Sequence, residues 1–360
     1  MEASQLQTTQ WAGARSWPNF MLTQVDTDSR SMEEEVIAGL KSIPKTTSPK
    51  YFYDEEGSRL FDQICELPEY YPTRTETSIL ARHAGAILNR LGRDLCVIEL
   101  GAGACHKGRI LLETGNVCSF IPVDISTEYL RSQALRVARS FPRVSVHAVG
   151  MDFIVSLDSL KSFLPEVGRR VIFYAGSSIG NFDPPDARHL LRQFHELLRK
   201  NDALLIGYDL KKDSNLLRQA YNDSEGVTAA FNLNLLVRFN RELGADFDLN
   251  RFRHAALYDE ALGRVEMYLE SLIAQEVNIA RECVSFDTFE RIHTESSYKY
   301  SVAEFDAMAA KAGFDSVGVW TDPAAYFAVA LYVRREFCPT VRPFPGSWPA
   351  RTGDEGCVLL

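Results

Sequence analysis

Short apolar runs alternate with amphipathic segments along most of the chain, and this alternation predicts the fold. The apolar runs are bounded by Gly, Pro and acidic residues, which is typical of parallel strands covered on both faces. Five runs are predicted as such strands, at 96–100, 119–124, 144–149, from Val171 onward and at 202–209. Because helical segments separate them, we expect a doubly wound sheet whose ligand site lies at the carboxyl ends of the strands.

The pattern changes after residue 210 and predicts a second, smaller unit. A helical stretch over 229–243 is followed by two apparent antiparallel strands, at 265–272 and 276–279. Runs at 317–322 and 326–333 then predict an antiparallel hairpin that closes the main sheet. The predicted fold class is therefore α/β, a doubly wound and mostly parallel sheet with a closing antiparallel hairpin, plus a smaller α+β subdomain. The predicted boundaries are a tail without fixed structure at 1–30, a main domain at 31–210 and 299–335, an inserted substrate-binding subdomain at 211–298, and a second tail at 336–360.

Local signals refine this picture outside the strands. Ser301 and Glu304 form a capping box for a helix late in the chain. Tyr70 and Tyr71 precede Pro72, which disfavours a helical conformation at the residue before it, so we expect a loop there. A phenol on such a loop can line a pocket, although a half-buried tyrosine is the commoner case.

Composition and charge narrow the functional class. At 360 residues with 46% apolar content, the chain can bury a full core. The net charge of −9 argues against nucleic-acid binding, and no run reaches the roughly 18 apolar residues of a membrane span. The amino terminus lacks a secretory signal, and seven cysteines without CxxC spacing fit reduced thiols better than disulfides or a zinc site. We therefore expect a cytoplasmic protein without a metal, and we also expect a monomer, although no sequence feature fixes the oligomeric state. The terminal Cys357-Val-Leu-Leu matches a prenylation box, which we interpret as coincidence.

The sharpest chemical signal is a glycine turn after the first predicted strand. Glu99 stands near the end of that strand, and Gly101 and Gly103 permit a tight turn that lets a ligand approach bare backbone. A helix follows, so its amino-terminal N–H groups would point at the same crevice. A dinucleotide-binding fingerprint would place a third glycine where this chain has His106, so a nicotinamide dehydrogenase is a poor fit. An ordinary strand-to-helix turn is the alternative for this segment taken alone.

The acid before the first glycine resembles the opening motif of class I S-adenosylmethionine (SAM) methyltransferases. The resemblance implies that the loop packs against the methionine part of SAM. An acid at the end of the next strand, here Asp124, would hold the ribose hydroxyls. Asp152 and Phe153, after the third strand, would face the adenine amino group and cover its ring.

Separated sequence blocks carry a narrower resemblance, to the histidine-specific SAM-dependent methyltransferase family of ergothioneine biosynthesis. They span about residues 33 to 335 and include Tyr-Phe-Tyr-Asp-Glu-Glu-Gly-Ser from Tyr51, Leu-Pro-Glu-Tyr-Tyr-Pro-Thr-Arg from Leu67, Gly-Ser-Ser-Ile-Gly-Asn-Phe from Gly176, and His-Thr-Glu-Ser-Ser-Tyr-Lys-Tyr from His293. The resemblance implies Nα-methylation of L-histidine with SAM as methyl donor, up to the trimethyl betaine hercynine. That reaction would be the first step of ergothioneine biosynthesis.

The family resemblance also implies roles for individual residues. SAM would be bound by Gly101, Lys107, Asp124, Asp152 and Phe153. The amino acid would be bound by Tyr53, Tyr71, Asn181, Tyr221, Met267, Glu295 and Ser297, with Tyr71, Asn181 and Tyr221 at its amino and carboxylate groups. No catalytic base or nucleophile is assigned, because attack by the neutral α-amine on the methyl group needs mainly positioning and desolvation.

Glu295 and Ser297 are the discriminating pair. A carboxylate and a hydroxyl two residues apart in an extended segment face the same way and can bond the two ring nitrogens of an imidazole. A solvated strand edge is the alternative for Glu295 alone. Two rival functions stay open, namely a methyltransferase of the same fold for another amine, such as a tryptophan derivative, and a non-catalytic SAM-binding partner subunit.

Overall fold

The computed structural model describes residues 17–25 and 31–335, which form fourteen strands and ten α-helices. The strands are β1 Phe20–Gln24, β2 Lys45–Thr46, β3 Leu95–Leu100, β4 Val117–Asp124, β5 Ser145–Gly150, β6 Arg169–Tyr174, β7 Ala203–Asp209, β8 Phe252–Asp259, β9 Arg264–Ser271, β10 Gln275–Ile279, β11 Glu282–Phe286, β12 Arg291–Tyr298, β13 Phe314–Thr321 and β14 Phe327–Arg334. The helices are α1 Met32–Lys41, α2 Glu55–Glu66, α3 Tyr71–Asn89, α4 His106–Glu113, α5 Thr127–Ser140, α6 Phe153–Ser156, α7 Pro184–Leu197, α8 Ser214–Ala220, α9 Val227–Leu243 and α10 Val302–Lys311.

The main sheet has eight strands in the order β1-β5-β4-β3-β6-β7-β14-β13. Neighbouring strands are parallel except at β14, which runs antiparallel to both β7 and β13. The chain leaves β3 on one side through β4 and β5, then returns to β6 on the other side. A crevice therefore opens beyond the carboxyl end of β3. The predicted fold class, including its closing hairpin, is confirmed.

Burial explains why the central strands are apolar throughout. Every residue of β3 and β7 is buried, because helices cover both faces of the sheet. Helices α7 and α10 pack on one face, and α3, α4 and α5 pack on the other. Across the described ranges, no helix has both the length and the apolar character that crossing a bilayer requires.

The edge strand β1 corrects one expectation. A tail without fixed structure was predicted for residues 1–30, and this is wrong at Phe20–Gln24, which pairs in parallel with β5. The segment is held in place by Asn19, whose side-chain amide donates to the carbonyls of Ala138 and Val144, each at 3.0 Å. Only one face of this edge strand is covered, so polar and apolar residues are mixed along it. That mixed composition gave a weak strand signal in the sequence. Residues 1–16, 26–30 and 336–360, with the motif at Cys357, lie outside the described residues.

A second core, formed by buried residues of 36–71 and 217–292, corrects the predicted domain boundary. Residues 31–70 were predicted to belong to the main domain, yet their aromatic side chains pack against α9. Phe52, for example, stacks on Phe231 with ring centroids 4.5 Å apart. The second unit is therefore built from two separated stretches of the chain, and not from the insertion at 211–298 alone.

The second unit contains a four-stranded sheet in the order β2-β12-β9-β8 and a separate hairpin of β10 and β11. The two strands predicted at 265–272 and 276–279 exist as β9 and β10, but they belong to different sheets. Both edges of β9 are occupied, by β8 and β12, so β10 pairs with β11 instead. The predicted capping box is confirmed, since the Glu304 amide donates to the Ser301 hydroxyl at 3.2 Å and the Glu304 carboxylate accepts from the Ser301 amide at 2.7 Å.

Candidate active site

A cleft of about 1150 Å³ opens at the carboxyl edge of the main sheet and continues to the second core. Of the residues predicted to bind ligands, all but Tyr71 line it. Those brought together are Tyr53, Gly101, Lys107, Asp124, Asp152, Phe153, Asn181, Tyr221, Met267, Glu295 and Ser297. The parallel strands end at one edge, which is why residues far apart in the sequence meet there.

The turn between β3 and α4 forms the floor of one end of the cleft. Gly101 and Gly103 have φ of +68° and +47°, a backbone region that favours glycine, and open space lies where their side chains would stand. A ligand can therefore approach this backbone closely. Below the turn, α4 packs tightly on β3, because a Cβ at Gly108 would collide with the Glu99 carboxylate. Burial raises the pKa of Glu99 to about 8.

Asp124 closes the glycine turn at the end of β4. Its two carboxylate oxygens accept the backbone N–H groups of Gly103 and Ser126, each at 2.9 Å. Burial raises the pKa of Asp124, and these backbone donors act against that shift. A carboxylate offers about four lone-pair sites, so Asp124 keeps acceptors for hydroxyl groups that enter the cleft. These free acceptors fit the two hydroxyl donors of the ribose of SAM.

Lys107, in the first turn of α4, is fixed by an ion pair. Its ammonium lies 2.6 Å from the fully buried carboxylate of Glu76, which also accepts the Gly176 N–H at 2.8 Å. Burial by itself lowers the pKa of Lys107, but the charge of Glu76 outweighs this and raises it. Glu76 was not singled out in the sequence, since an acid inside the long helix α3 resembles an ordinary exposed position.

At the end of β5, Asp152 and Phe153 occupy the positions predicted for adenine contacts. One Asp152 oxygen accepts the N–H of Ile154 and caps α6, and the other lies 3.5 Å from the ammonium of Lys50. Phe153 packs its ring edge to face on Tyr174 at 6.0 Å. An acceptor beside an aromatic ring suits a purine with an exocyclic amine.

The opposite end of the cleft carries the second group of predicted residues. Asn181 donates its side-chain amide to Glu295 at 3.0 Å, and the Tyr221 and Ser297 hydroxyls lie 2.8 Å apart. Burial raises the pKa of Glu295 to about 7, although Lys299 and the bond from Asn181 act in the opposite direction. The side chains of Glu295 and Ser297 both line the cleft, as the spacing of two in an extended strand predicted.

A register shift in β12 orients the side chains of Glu295 and Ser297 toward the cleft. The pairing of β12 with β9 is regular up to His293 and resumes at Glu295, which is opposite Met267. Thr294 is the extra residue, so the strand bends there, as it does at β-bulges near functional sites. Met267 is buried and lines the cleft beside Glu295.

Aromatic rings form the remaining wall. Tyr53 meets Phe61 and Phe231 with edge-to-face centroid distances of 5.8 and 5.9 Å, and Tyr70 meets Tyr221 at 6.1 Å. Burial raises the pKa of both Tyr53 and Tyr70, so their phenols are protonated at neutral pH. This wall offers aromatic faces and neutral hydroxyls.

Tyr71 corrects a sequence prediction. It was expected in a loop beside the substrate, but it is the first residue of α3, where Pro72 is tolerated because the first turn has no N–H partner to lose. Its hydroxyl donates to Asp209 at 2.6 Å, behind the cleft, and the neighbouring Tyr70 lines the cleft instead. The predicted loop is therefore wrong at Tyr71, and Tyr71 does not line the cleft.

A buried charge cluster behind the cleft escaped the sequence analysis. Asp209, at the end of β7, lies between the ammonium groups of Lys212 at 2.5 Å and Lys299 at 2.9 Å. The two lysine charges lower the pKa of Asp209 against the effect of its burial. One signal was available, because Lys299 follows Ser297 by two residues and so continues the polar face of β12.

The chain is similar to several methyltransferases. A family described as histidine-specific, SAM-dependent methyltransferases matches residues 32–334. A histidine N-alpha-methyltransferase from Mycolicibacterium smegmatis is 41% identical over 315 residues, covering 86% of this chain and 97% of that protein. An ergothioneine biosynthesis protein from Neurospora crassa is 32% identical over 288 residues, covering 78% of this chain and 32% of that protein. A solved methyltransferase structure from Streptomyces caelestis aligns with a TM-score of 0.43 and 16% identity over 71% of this chain and 94% of that one.

Proposed function

Since this chain belongs to the family of histidine-specific, SAM-dependent methyltransferases, we propose that it methylates the α-amine of L-histidine, up to the trimethyl betaine hercynine. This is the first step of ergothioneine biosynthesis, and the likeness to an ergothioneine biosynthesis protein supports that role. The observation that carries the proposal is the pair Glu295 and Ser297, held by Asn181 and Tyr221 in the cleft.

At the sheet end of the cleft, this chain would hold SAM, which supplies a methyl group on a positively charged sulfur. Gly101 would let the methionine part approach the backbone, and Asp124 would accept hydrogen bonds from the ribose. Asp152 and Phe153 would hold the adenine. Lys107 already neutralises Glu76, so its part is to shape the pocket beside the glycine turn.

At the other end, the histidine ring would lie between Glu295 and Ser297. The carboxylate accepts the ring N–H, and the hydroxyl bonds the second nitrogen. Asn181 and Tyr221 would hold the amino and carboxylate groups, with Tyr70 taking the place first predicted for Tyr71. A tryptophan side chain has no second ring nitrogen to satisfy this pair, which is why histidine is favoured over tryptophan derivatives.

The reaction itself needs a neutral amine in line with the methyl group, so the chain contributes mainly positioning and exclusion of water. Tyr53 and Tyr70 have raised pKa values and remain protonated, so we assign neither as the base. Each methyl transfer makes the amine bulkier and finally fixes a positive charge on it. The aromatic faces near Tyr53 suit such a cation.

The test is mass spectrometry of the purified protein incubated with SAM and a mixture of the twenty amino acids. Trimethylated histidine as the sole product is the expected result. Modification of another amino acid would retain the chemistry and overturn the assignment of the ring pocket. Retained SAM binding without any product would instead favour a non-catalytic partner subunit.

A further inference from the structure

Lys299 lies fully buried directly behind the ring-binding end of the cleft. Its ammonium is 2.9 Å from an Asp209 oxygen, 2.9 Å from the Tyr221 hydroxyl and 2.8 Å from the Ser297 hydroxyl. An ammonium has three N–H donors and no acceptor, so these contacts use all of its donors. Lys299 therefore donates to both hydroxyls that face the substrate.

The protonation states of Lys299 and Tyr221 support these hydrogen bonds. Burial alone lowers the pKa of Lys299, but the neighbouring charge of Asp209 prevails and raises it, so the amine is charged at neutral pH. Burial also raises the pKa of Tyr221, whose phenol keeps its proton. Two hydroxyl protons are thus available between Tyr221 and Ser297.

The 2.8 Å contact between Tyr221 and Ser297 uses one of these two protons. The phenol is the more acidic hydroxyl and is the better donor, so Tyr221 donates to Ser297. The Ser297 oxygen then accepts from both Lys299 and Tyr221, which fills its two lone pairs. Its own proton is left to point into the cleft, which Ser297 lines.

We propose that Lys299 is a positioning residue that makes Ser297 a hydrogen-bond donor, and not an acceptor, toward the substrate ring. This inference rests on the proposed function, in which Glu295 accepts the ring N–H. A neutral imidazole carries one N–H and one bare nitrogen, so it matches this acceptor and donor pair. Without Lys299, the Ser297 hydroxyl regains a lone pair, can rotate, and no longer selects a ring with a bare nitrogen.

A double-mutant cycle between Lys299→Met and Ser297→Ala tests the proposal. Each single variant is expected to raise the KM for histidine about tenfold, as for one lost hydrogen bond of about 1.4 kcal/mol, while SAM affinity changes less than about threefold. In the Lys299→Met background, Ser297→Ala should add less than about threefold, because the hydroxyl has already lost its imposed direction. Two tenfold losses that multiply would overturn the inference.

Lys212→Met is the matched control. It removes the other ammonium from Asp209 but contacts neither Tyr221 nor Ser297, so the KM for histidine should change less than about threefold. An increase equal to that of Lys299→Met would mean that charge balance at Asp209 causes the effect, and would overturn the proposal. Thermal unfolding reports whether each variant folds.

A second variant covers the case in which Lys299→Met does not fold. Lys299→Gln offers two amide donors for three partners, so Ser297→Ala should raise the KM for histidine less in the Lys299→Gln background than in the wild type. An equal increase in both backgrounds would contradict the proposal. If the wild type itself does not methylate histidine, the proposed function fails before any variant is compared, so the two failures are distinguishable.

Discussion

At the scale of single residues, burial raises the pKa of acidic side chains that line the cleft. Glu295 and Glu99 both have raised pKa values, to about 7 and about 8, because they are removed from water. Asn181 holds Glu295 with a neutral amide, which fixes the carboxylate without adding a charge to the cleft. The Glu295 carboxyl is therefore ionised only near or above neutral pH.

Asn181→Ala tests the hydrogen bond by which Asn181 holds Glu295. The variant removes the amide that orients Glu295 and that would contact the amino acid, so we expect kcat/KM for histidine to fall about a hundredfold. SAM affinity, measured by calorimetry, should change less than about threefold, because Asn181 lies at the other end of the cleft. The exposed Asn250→Ala is the control, and near-normal turnover of Asn181→Ala would contradict the assignment.

The raised pKa of Glu295 also has a consequence for stability. The carboxyl ionises near 4.5 in the unfolded chain and near 7 in the fold, so the folded state binds more protons between these values and loses stability as pH rises through them. Glu295→Gln removes this loss. Urea unfolding should show the variant more stable than the wild type by up to about 3 kcal/mol at pH 8, but by less than about 1 kcal/mol at pH 5.

The matched control for this measurement is Glu276→Gln, on the exposed face of β10. It should leave the free energy of unfolding unchanged at both pH values. A gain for Glu295→Gln that is equally large at pH 5 and pH 8 would show that ionisation of Glu295 is not its cause.

At the scale of elements, two local irregularities aim the functional groups. The left-handed turn at Gly101 and Gly103 exposes backbone to the cleft, and the register shift at Thr294 directs Glu295 into the cleft. Regular strand and helix geometry alone would place neither group. The site thus depends on two departures from regular structure at the ends of otherwise regular elements.

Gly101→Ala tests separately whether the turn needs glycine for its backbone conformation and whether it needs glycine to bind SAM. Its φ of +68° is unfavourable for alanine, so we expect a loss of about 1–2 kcal/mol in stability. Gly244, with φ of +62° at the end of α9 and equally open space around it, should lose the same amount when changed to alanine. Only Gly101→Ala should also weaken SAM binding, by about tenfold or more, because its methyl group points to where the ligand would lie. Equal SAM affinity in the two variants would remove Gly101 from the site.

At the scale of the whole molecule, the cleft is lined from two cores to which we propose different functions. The main sheet supplies the predicted SAM residues, whereas Glu295, Tyr221 and the aromatic wall belong to the second unit. A substitution that loosens the core of the main sheet should therefore weaken SAM binding more than histidine binding. A substitution that loosens the second core should have the opposite effect.

Phe52→Leu and Phe194→Leu form the pair that tests this division. Both phenylalanines are fully buried, one in the second core and one beneath the main sheet, so each change should cost about 1–3 kcal/mol of stability. Phe52 stacks on Phe231, which lines the cleft. Steady-state kinetics should show a several-fold higher KM for histidine in Phe52→Leu only. Equal effects of both variants on that KM would show that the cores are not separable in function.

Sequence periodicity predicted the central strands and the shared face of Glu295 and Ser297, because both depend on local backbone geometry. It failed at Tyr70 and Tyr71, since which of two adjacent phenols faces the cleft depends on the residue at which α3 begins. The domain boundary and β1 also depend on partners more than a hundred residues away. The cluster of Asp209, Lys212 and Lys299 required three-dimensional packing, although the spacing of Lys299 two residues after Ser297, just beyond β12, carried part of the signal.

The second core is assembled from two separated segments of the chain, and this has a consequence for synthesis on the ribosome. The aromatic segment at 36–71 emerges early, but its packing partners at 217–292 are translated later. At about 5–20 residues per second, this segment waits about 10 to 40 seconds for them. During that interval its tyrosines and phenylalanines are exposed, so the nascent chain presents a binding site for chaperones that the finished protein conceals.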